Sequence, residues 1–296
     1  MAQEISAGGE RVRFLDMKRV GQDVLLTHSI GTHRAGDTEI YVKGEAPICL
    51  KEVRSVWYRR PAAPKILASV LDPDDHSFAR KEWLEAINGL LMCLDARFIN
   101  SPLAQSVATK PRQLEVALRV GLDIPDTLIT NNPDQVEMFL QTHQQKVIHK
   151  ALTAPPDKFI DTRRWVESDR AELTELPIAP VIFQAEVVGL ADVRANIVGE
   201  RIFAARIATC ELRAGIDSRL DLDIPYEPHE LPEEVHRLLL QFMQEMGLVF
   251  GTVDMKISEE GNYVFLEVNP QGQFLYVEIL TGMPITTAVA ELLTRA

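Results

Sequence analysis

The sequence predicts an α/β protein built in α+β layers rather than one doubly wound sheet. Three observations carry that expectation. Short alternating strand-like runs crowd residues 1–60; amphipathic helical stretches then interleave with single strands; and two alternating runs flank SEEGN near the C-terminus, the pattern of a β-hairpin. A length of 296 residues suits about two domains. With 46% apolar and 25% charged residues, the composition is that of an ordinary globular protein.

In chain order, RVRFLDM, DVLLTH, EIYVKG and VRSVWYRR read as short strands. A polar, proline-bearing stretch from PAAPK to LDPDDH follows. Ser77–Leu94 reads as a helix from Phe78, Trp83, Leu84, Ile87, Leu90, Leu91 and Leu94. A boundary is expected near Asn100-Ser101-Pro102, dividing residues 1–100 from 101–296, the latter parted into 101–185 and 186–296. Thr109 caps a helix to Val120, with Pro111 in its first turn and Gly121 as its stop. IPDTLIT reads as a strand, NNPDQVEMFLQTH as a turn and helix, KVIHKAL as a strand and TAPPDKFIDTRRW as a loop. APVIFQAEVV is a strand; DVRANIVG and ERIFAARIAT are two more, joined through Gly199-Glu200. Leu231–Met246 is an amphipathic helix stopped by Gly247, and Thr286–Thr294 is the last helix.

The C-terminal hairpin carries the most chemistry. With its loop at Glu259–Asn262, Asp254 falls opposite Glu267 and Thr252 opposite Asn269. Side chains alternate along a strand, so Asp254, Glu267 and Asn269 share one face. Val253, Met255, Ile257, Val264, Leu266 and Val268 are expected on the other, the core face. Facing carboxylates repel each other. A divalent cation removes that penalty, and these oxygen donors suit Mg²⁺ held against phosphates. On this reading, removing one carboxylate leaves metal-free stability unchanged or slightly raised. A wet, solvated hairpin face is the plainer alternative.

Other classes are excluded or weakened. No apolar run approaches a membrane span, and the N-terminus lacks the apolar core of a signal peptide. Cys49, Cys93 and Cys210 form no paired motif, which fits the cytoplasm and argues against structural zinc. A net charge of −12 lacks the broad basic footprint of a nucleic-acid binder. A local pocket for phosphates or carboxylates remains open to Arg59, Arg60, Arg194, Arg206, Arg213 and Arg219. Arg59 and Arg60 are neighbours, so only one of them faces a site unless the strand has ended; Trp57 and Tyr58 read as packing.

In order along the chain come Val56-Trp57-Tyr58-Arg59-Arg60-Pro61, Thr109-Lys110-Pro111-Arg112-Gln113-Leu114 and Gly121 to Asn131. Asp192-Val193-Arg194, Val198 to Ala205, Asp217-Ser218-Arg219 and Phe265 to Phe274 complete the series. This series, over residues 53–296, resembles ATP-grasp ligases, and most closely the microviridin-type peptide maturases, the graspetide synthetases. The resemblance implies an ATP-grasp fold preceded by a small α/β pre-ATP-grasp domain. It implies ATP and Mg²⁺ as cofactors and a leader-bearing precursor peptide as partner, with a homodimer as one option and no nucleic-acid or membrane partner.

Roles follow by position. Lys110 and Lys150 would hold ATP phosphates; Gln184, Ala185, Glu186 and Val187 would form the hinge that meets adenine; Asp192 belongs to the same nucleotide site. Asp254, Glu267 and Asn269 would hold Mg²⁺. Arg194 would lie near the transferred phosphoryl group, with Arg206 and Arg219 as further catalytic candidates. The family reaction turns a carboxylate into an acyl phosphate, which a hydroxyl or amine then attacks. Three departures stand out. The chain begins at AQEISAGG without the family's opening strand, which fits a shortened domain or a late-assigned start. Ala185 stands where a glutamate is common, and Thr153–Arg163 has no glycine, leaving Thr153, Thr162 or backbone N–H groups to cover phosphate. Two other readings persist: a ligase for a small molecule or protein tail, and a nucleotide-binding protein without activity.

Overall fold

The computed structural model describes residues 2–153, 162–208 and 225–295. The chain divides into two compact units, Met1–Ser106 with Thr286–Ala296, and Val107–Ile285.

The first unit opens with helix α1 (Ala2–Ala7) and a three-stranded antiparallel sheet of β1 (Val24–Gly31), β2 (Arg34–Val42) and β3 (Ile48–Cys49). RVRFLDM, read as a strand, forms none. Strand β4 (Ser55–Trp57) pairs in parallel with β5 (Arg97–Ile99). Between them runs helix α2 (Pro73–Met92), which starts four residues earlier than its apolar spacing indicated. Asp72 explains the difference: its carboxylate accepts from the Asp74 and Asp75 N–H groups, and Pro73 supplies a preset φ. Met17, Val20, Val24, Ile40, Val42, Leu50 and Ile87 form this unit's core. Helix α3 (Pro102–Ser106) follows β5. From helix α8 (Ile285–Thr294), Leu292 O accepts from the Arg97 guanidinium.

The second unit contains two sheets. Helix α4 (Lys110–Val120) ends at Gly121, whose φ of 97° is the left-handed stop the sequence indicated. Strand β6 (Thr127–Thr130) and helix α5 (Pro133–Thr142) precede β7 (Val147–Lys150), β8 (Arg163–Arg164) and β9 (Val181–Ala185). These strands form an antiparallel sheet ordered β6-β9-β7-β8. Val136, Leu140, Val147, Trp165, Leu173, Leu176 and Phe183 pack beneath it.

The second sheet is ordered β12-β11-β10-β13-β14. Its members are β10 (Gly189–Val198), β11 (Arg201–Ala208), β12 (Glu227–His229), β13 (Phe250–Ser258) and β14 (Tyr263–Asn269). Helix α6 (Glu233–Met246), stopped by Gly247 at φ 70°, packs on α4. Its Phe242 meets Phe265 with ring centroids 4.9 Å apart. Helix α7 (Leu275–Thr281) follows the turn after β14.

The hairpin register matches the sequence where the chemistry lies and departs from it near the loop. Asp254 pairs with Glu267 and Thr252 with Asn269. Beyond a bulge at Leu266, Met255 pairs with Phe265 and Ile257 with Tyr263, one residue out of step. The loop is a three-residue turn: Ser258 and Asn262 close it, and Gly261 adopts φ 88°. Phe265, with no exposed surface, therefore takes the core position, and Val264 and Leu266 are half-buried. The Phe265 N–H turns outward to Asp123 O at 2.8 Å, which holds the bulge open.

Candidate active site

A cavity of about 1220 Å³ lies within the second unit, larger than most small-molecule sites. The carboxylate face of the β10–β13–β14 sheet, the start of α4, strand β7, and the segment after β9 all contribute to its wall. Sheet parity explains the charged face. Asp192 and Arg194 on β10 pair with Lys256 and Asp254 on β13, so all four side chains share one side. Arg194 Nη1 donates to Asp254 Oδ1 at 2.7 Å, and Lys256 pairs with Asp192. Lys110 Nζ lies 3.6 Å from Glu267 Oε2 and donates to Ala151 O at 3.0 Å. Lys150 lines the same cavity from β7.

Among the described residues, five cations (Lys110, Lys150, Arg164, Arg194, Lys256) and four carboxylates line this wall. A chain of net charge −12 thus presents a locally cationic site for an anionic ligand. Arg194 is 6% exposed, and its Nε is buried without an acceptor among the described residues. The turn after β14 buries it. Gln273 O accepts from Arg194 Nη2 at 3.4 Å, and Gly272 lies so close to Thr252 that a Cβ would approach Oγ1 to 2.1 Å. The Tyr276 ring lies 5.6 Å from the Arg194 guanidinium, and burial raises the Tyr276 phenol pKa.

These pairings correct one expectation. The facing carboxylates do not confront each other uncompensated without a cation, because Asp254 has Arg194 and Glu267 has Lys110. Asp254→Asn would strand a buried guanidinium, so stability falls rather than rises.

The hinge segment also differs in detail. The Ala185 N–H donates to Asp126 O and the Glu186 N–H to Lys146 O, both at 2.9 Å, so neither donor remains for a base. Val187 and Val188 follow the strand end and line the cavity. Gln184 is fully buried; its Nε2 donates to Thr127 Oγ1 at 2.8 Å, leaving Oε1 as an acceptor without a partner among the described residues. Such an orphaned acceptor suits an exocyclic amino group. Arg164 Nε donates to Glu186 Oε1 at 2.7 Å across this mouth, a contact absent from the sequence reading because TAPPDKFIDTRRW reads as a loop. Thr153 and Thr162 both line the cavity.

The oxygen donors fit a hard cation. Asp254, Glu267 and Asn269 line one end of the cavity, and Asn269 Oδ1 also accepts from the Gln271 N–H at 2.9 Å. No cluster of three His, Cys, Asp or Glu side chains among the described residues could hold a metal alone. Two carboxylates with help from a ligand's phosphates is the usual Mg²⁺ arrangement.

Arg206 stands apart. It pairs with Val193, and so takes the opposite face of the sheet from Arg194 and Asp254, outside the cavity wall. There it depresses the pKa of His229, together with the larger effect of burial. Arg219 lies outside the described residues.

No family model matches the chain, and no curated protein matches it. Solved structures do. The macrocyclase MdnC of Microcystis aeruginosa MRC, bound to precursor peptide MdnA, is 30% identical with a TM-score of 0.89. The match covers 99% of this chain and 94% of MdnC. An ATP-grasp ligase of Chryseobacterium gregarium associated with ribosomally made, modified peptides holds ADP and a leader and core peptide. It is 25% identical with a TM-score of 0.87, over 99% of this chain and 91% of that one. The ATP-grasp ligase PsnB, with a precursor variant, Mg and ADP, is 25% identical with a TM-score of 0.76, over 99% and 92%.

Proposed function

Because the chain belongs to the ATP-grasp peptide macrocyclases, we propose that it crosslinks side chains of a ribosomally made precursor peptide, using the cavity of its second unit. A γ-phosphoryl group passes from ATP to a side-chain carboxylate. A hydroxyl or amine then attacks the acyl carbon, phosphate leaves, and an ester or amide remains. One observation carries this reading: Lys110, Lys150, Asp192, Arg194, Asp254 and Glu267 line a single cavity.

Within it, Lys110 and Lys150 bind phosphate oxygens as point charges in ground and transition states alike. Arg194, fixed by Asp254, Gln273 O and Tyr276, meets the charge that grows during transfer. The Gln184 acceptor and the Val187–Val188 backbone orient the base. Asp254, Glu267 and Asn269 would hold Mg²⁺, which would supply charge neutralisation at the phosphates. No covalent enzyme nucleophile is required, and positioning supplies much of the rate.

Recognition of a leader outside the reacting core belongs to the same proposal, since an acidic core gains little from a chain of net −12 except at local cationic sites. So do action in the cytoplasm and a homodimer, which native mass spectrometry tests directly. No described helix is long and apolar enough to cross a membrane. The decisive experiment incubates the chain with ATP, Mg²⁺ and a candidate precursor and reads the peptide mass. Each crosslink removes one water. ATP turnover with a small amine and no peptide dehydration would instead favour a small-acceptor ligase.

A further inference from the structure

A second cationic feature lies in the first unit, where Trp57-Tyr58-Arg59-Arg60 leaves strand β4. The strand ends at Trp57, so the rule that neighbouring side chains take opposite faces no longer separates the two arginines. The chain here is firmly built. The Tyr58 N–H donates to Ile99 O at 3.1 Å. Gln105 Nε2 clamps both strand ends, donating to Tyr58 O at 2.7 Å and to Asn100 O at 3.3 Å. The Arg59 guanidinium lies over the Trp57 ring, 5.1 Å from its centroid, and is half-buried.

Arg60 is strained. Its φ is +45°, left-handed for a residue with a Cβ, and it precedes Pro61, which favours extended backbone. Such strain persists where surrounding structure imposes it, and it concentrates at functional sites. Burial pushes the Arg59 pKa down, and the charge of the adjacent Arg60 adds to that. Position matters as well. The pair sits just past the C-terminal ends of two parallel strands, where open α/β sheets receive their ligands.

We propose that Arg59 and Arg60 form a carboxylate-binding site for acidic side chains of the peptide substrate. The proposal rests on the peptide-ligase reading for its substrate class. The shared chemistry is that of an oxyanion, and phosphate is the other source. The cavity of the second unit already has its own cations for phosphate, whereas the acidic peptide must be gathered by a protein of the same sign. A guanidinium fork matches the two in-plane oxygens of a carboxylate.

The test uses the full chain and a fluorescent peptide of Thr, Asp and Glu, beside a counterpart with Asn and Gln. Anisotropy gives peptide affinity, and a separate titration gives ATP·Mg affinity, neither requiring turnover. Arg59→Gln and Arg60→Gly are each expected to weaken the acidic peptide about tenfold, leaving the amide peptide and the nucleotide unchanged. Arg60→Gly is the sharper variant. Glycine relieves the positive φ, so thermal stability holds or rises while affinity falls. Loss of nucleotide affinity in place of peptide affinity would assign the pair to phosphate and overturn the proposal. Unchanged peptide affinity in both variants, or no preference of the wild type for the acidic peptide, would overturn it too. If acidic-peptide binding depends on these arginines yet no precursor is dehydrated, the ligase reading fails and the carboxylate site stands.

Discussion

Two hairpins in this molecule share a sequence grammar and differ in use. β1–β2 and β13–β14 both alternate, and both carry a register shift. In β1–β2, Val24, Ile40 and Val42 enter a core, while Leu25 and Tyr41 face outward at 72% and 40% exposure. In β13–β14 both faces are occupied. Val253, Met255 and Phe265 are buried on one; Asp254, Lys256 and Glu267 line a cavity on the other. Period two defines two faces but not what covers the second. In β13–β14 the cover comes from the turn after β14 and the start of α4, while the neighbouring strand β10 sets the buried Arg194 beside Asp254 on the same face.

The largest effects should come from breaking that charged face. Asp254→Asn and Glu267→Gln are each expected to lower turnover roughly a thousandfold or more, as removal of a cation clamp worth several kcal/mol implies. Their stabilities should diverge. Asp254→Asn strands Arg194 at 7% side-chain exposure and should cost about 2–3 kcal/mol without Mg²⁺. Glu267→Gln leaves Lys110 more open and still bonded to Ala151 O, so about 1 kcal/mol or less is expected. Urea unfolding with and without Mg²⁺ measures both. Equal stability losses would mean that the Arg194 pairing is not what distinguishes the two carboxylates.

The bulge offers the next test. Phe265→Ala should cost about 3–5 kcal/mol, because the ring is fully buried against Phe242. Leu266→Ala should cost clearly less and act instead on nucleotide affinity, since Leu266 lines the cavity. The unshifted register would reverse that ranking. Two glycines come next in size. Gly272→Ala drives a Cβ into Thr252 and should cost about 1–3 kcal/mol while disturbing Arg194. Gly261→Ala, at φ 88° in open space, should cost about 1 kcal/mol and leave activity intact. Thermal melts paired with turnover assays separate the two.

Much of this was legible in the sequence, for identifiable reasons. The pairing of Asp254 with Glu267 agrees with the sequence because two departures offset each other: the turn is one residue shorter than the loop expected at Glu259–Asn262, and the bulge at Leu266 restores the register. Lys256 was equally legible, two residues beyond Asp254 on the same strand and face. The position of Arg206 was too. Joining β10 and β11 through Gly199-Glu200 puts Ala205, not Arg206, opposite Arg194. The bulge was not legible, because Val264, Phe265 and Leu266 are all apolar and Asp123, whose carbonyl holds the bulge, is distant in sequence. Arg164 was hidden by the brevity of β8, two residues without a periodic signal. The covering of Arg194 depends on the close approach of the Gly272 turn to Thr252, which no local sequence signal marks.

The smallest expected effect tests the other hairpin. Leu25 and Tyr41 stand directly opposite each other on the outer face of β1–β2, and cross-strand pairs of this kind contribute roughly 0.2–1 kcal/mol. Both are exposed, so Leu25→Ser should shift stability by about 0.5 kcal/mol and leave turnover unchanged. Val24→Ala, one residue away on the buried face, should cost more, about 1–3 kcal/mol, through lost burial and a cavity. Chemical denaturation of both variants, with solution mass measured alongside, makes the comparison. If Leu25→Ser costs as much as Val24→Ala, or lowers the solution mass, then the outer face is covered by a second copy in solution, and the two hairpins are alike in burying both their faces.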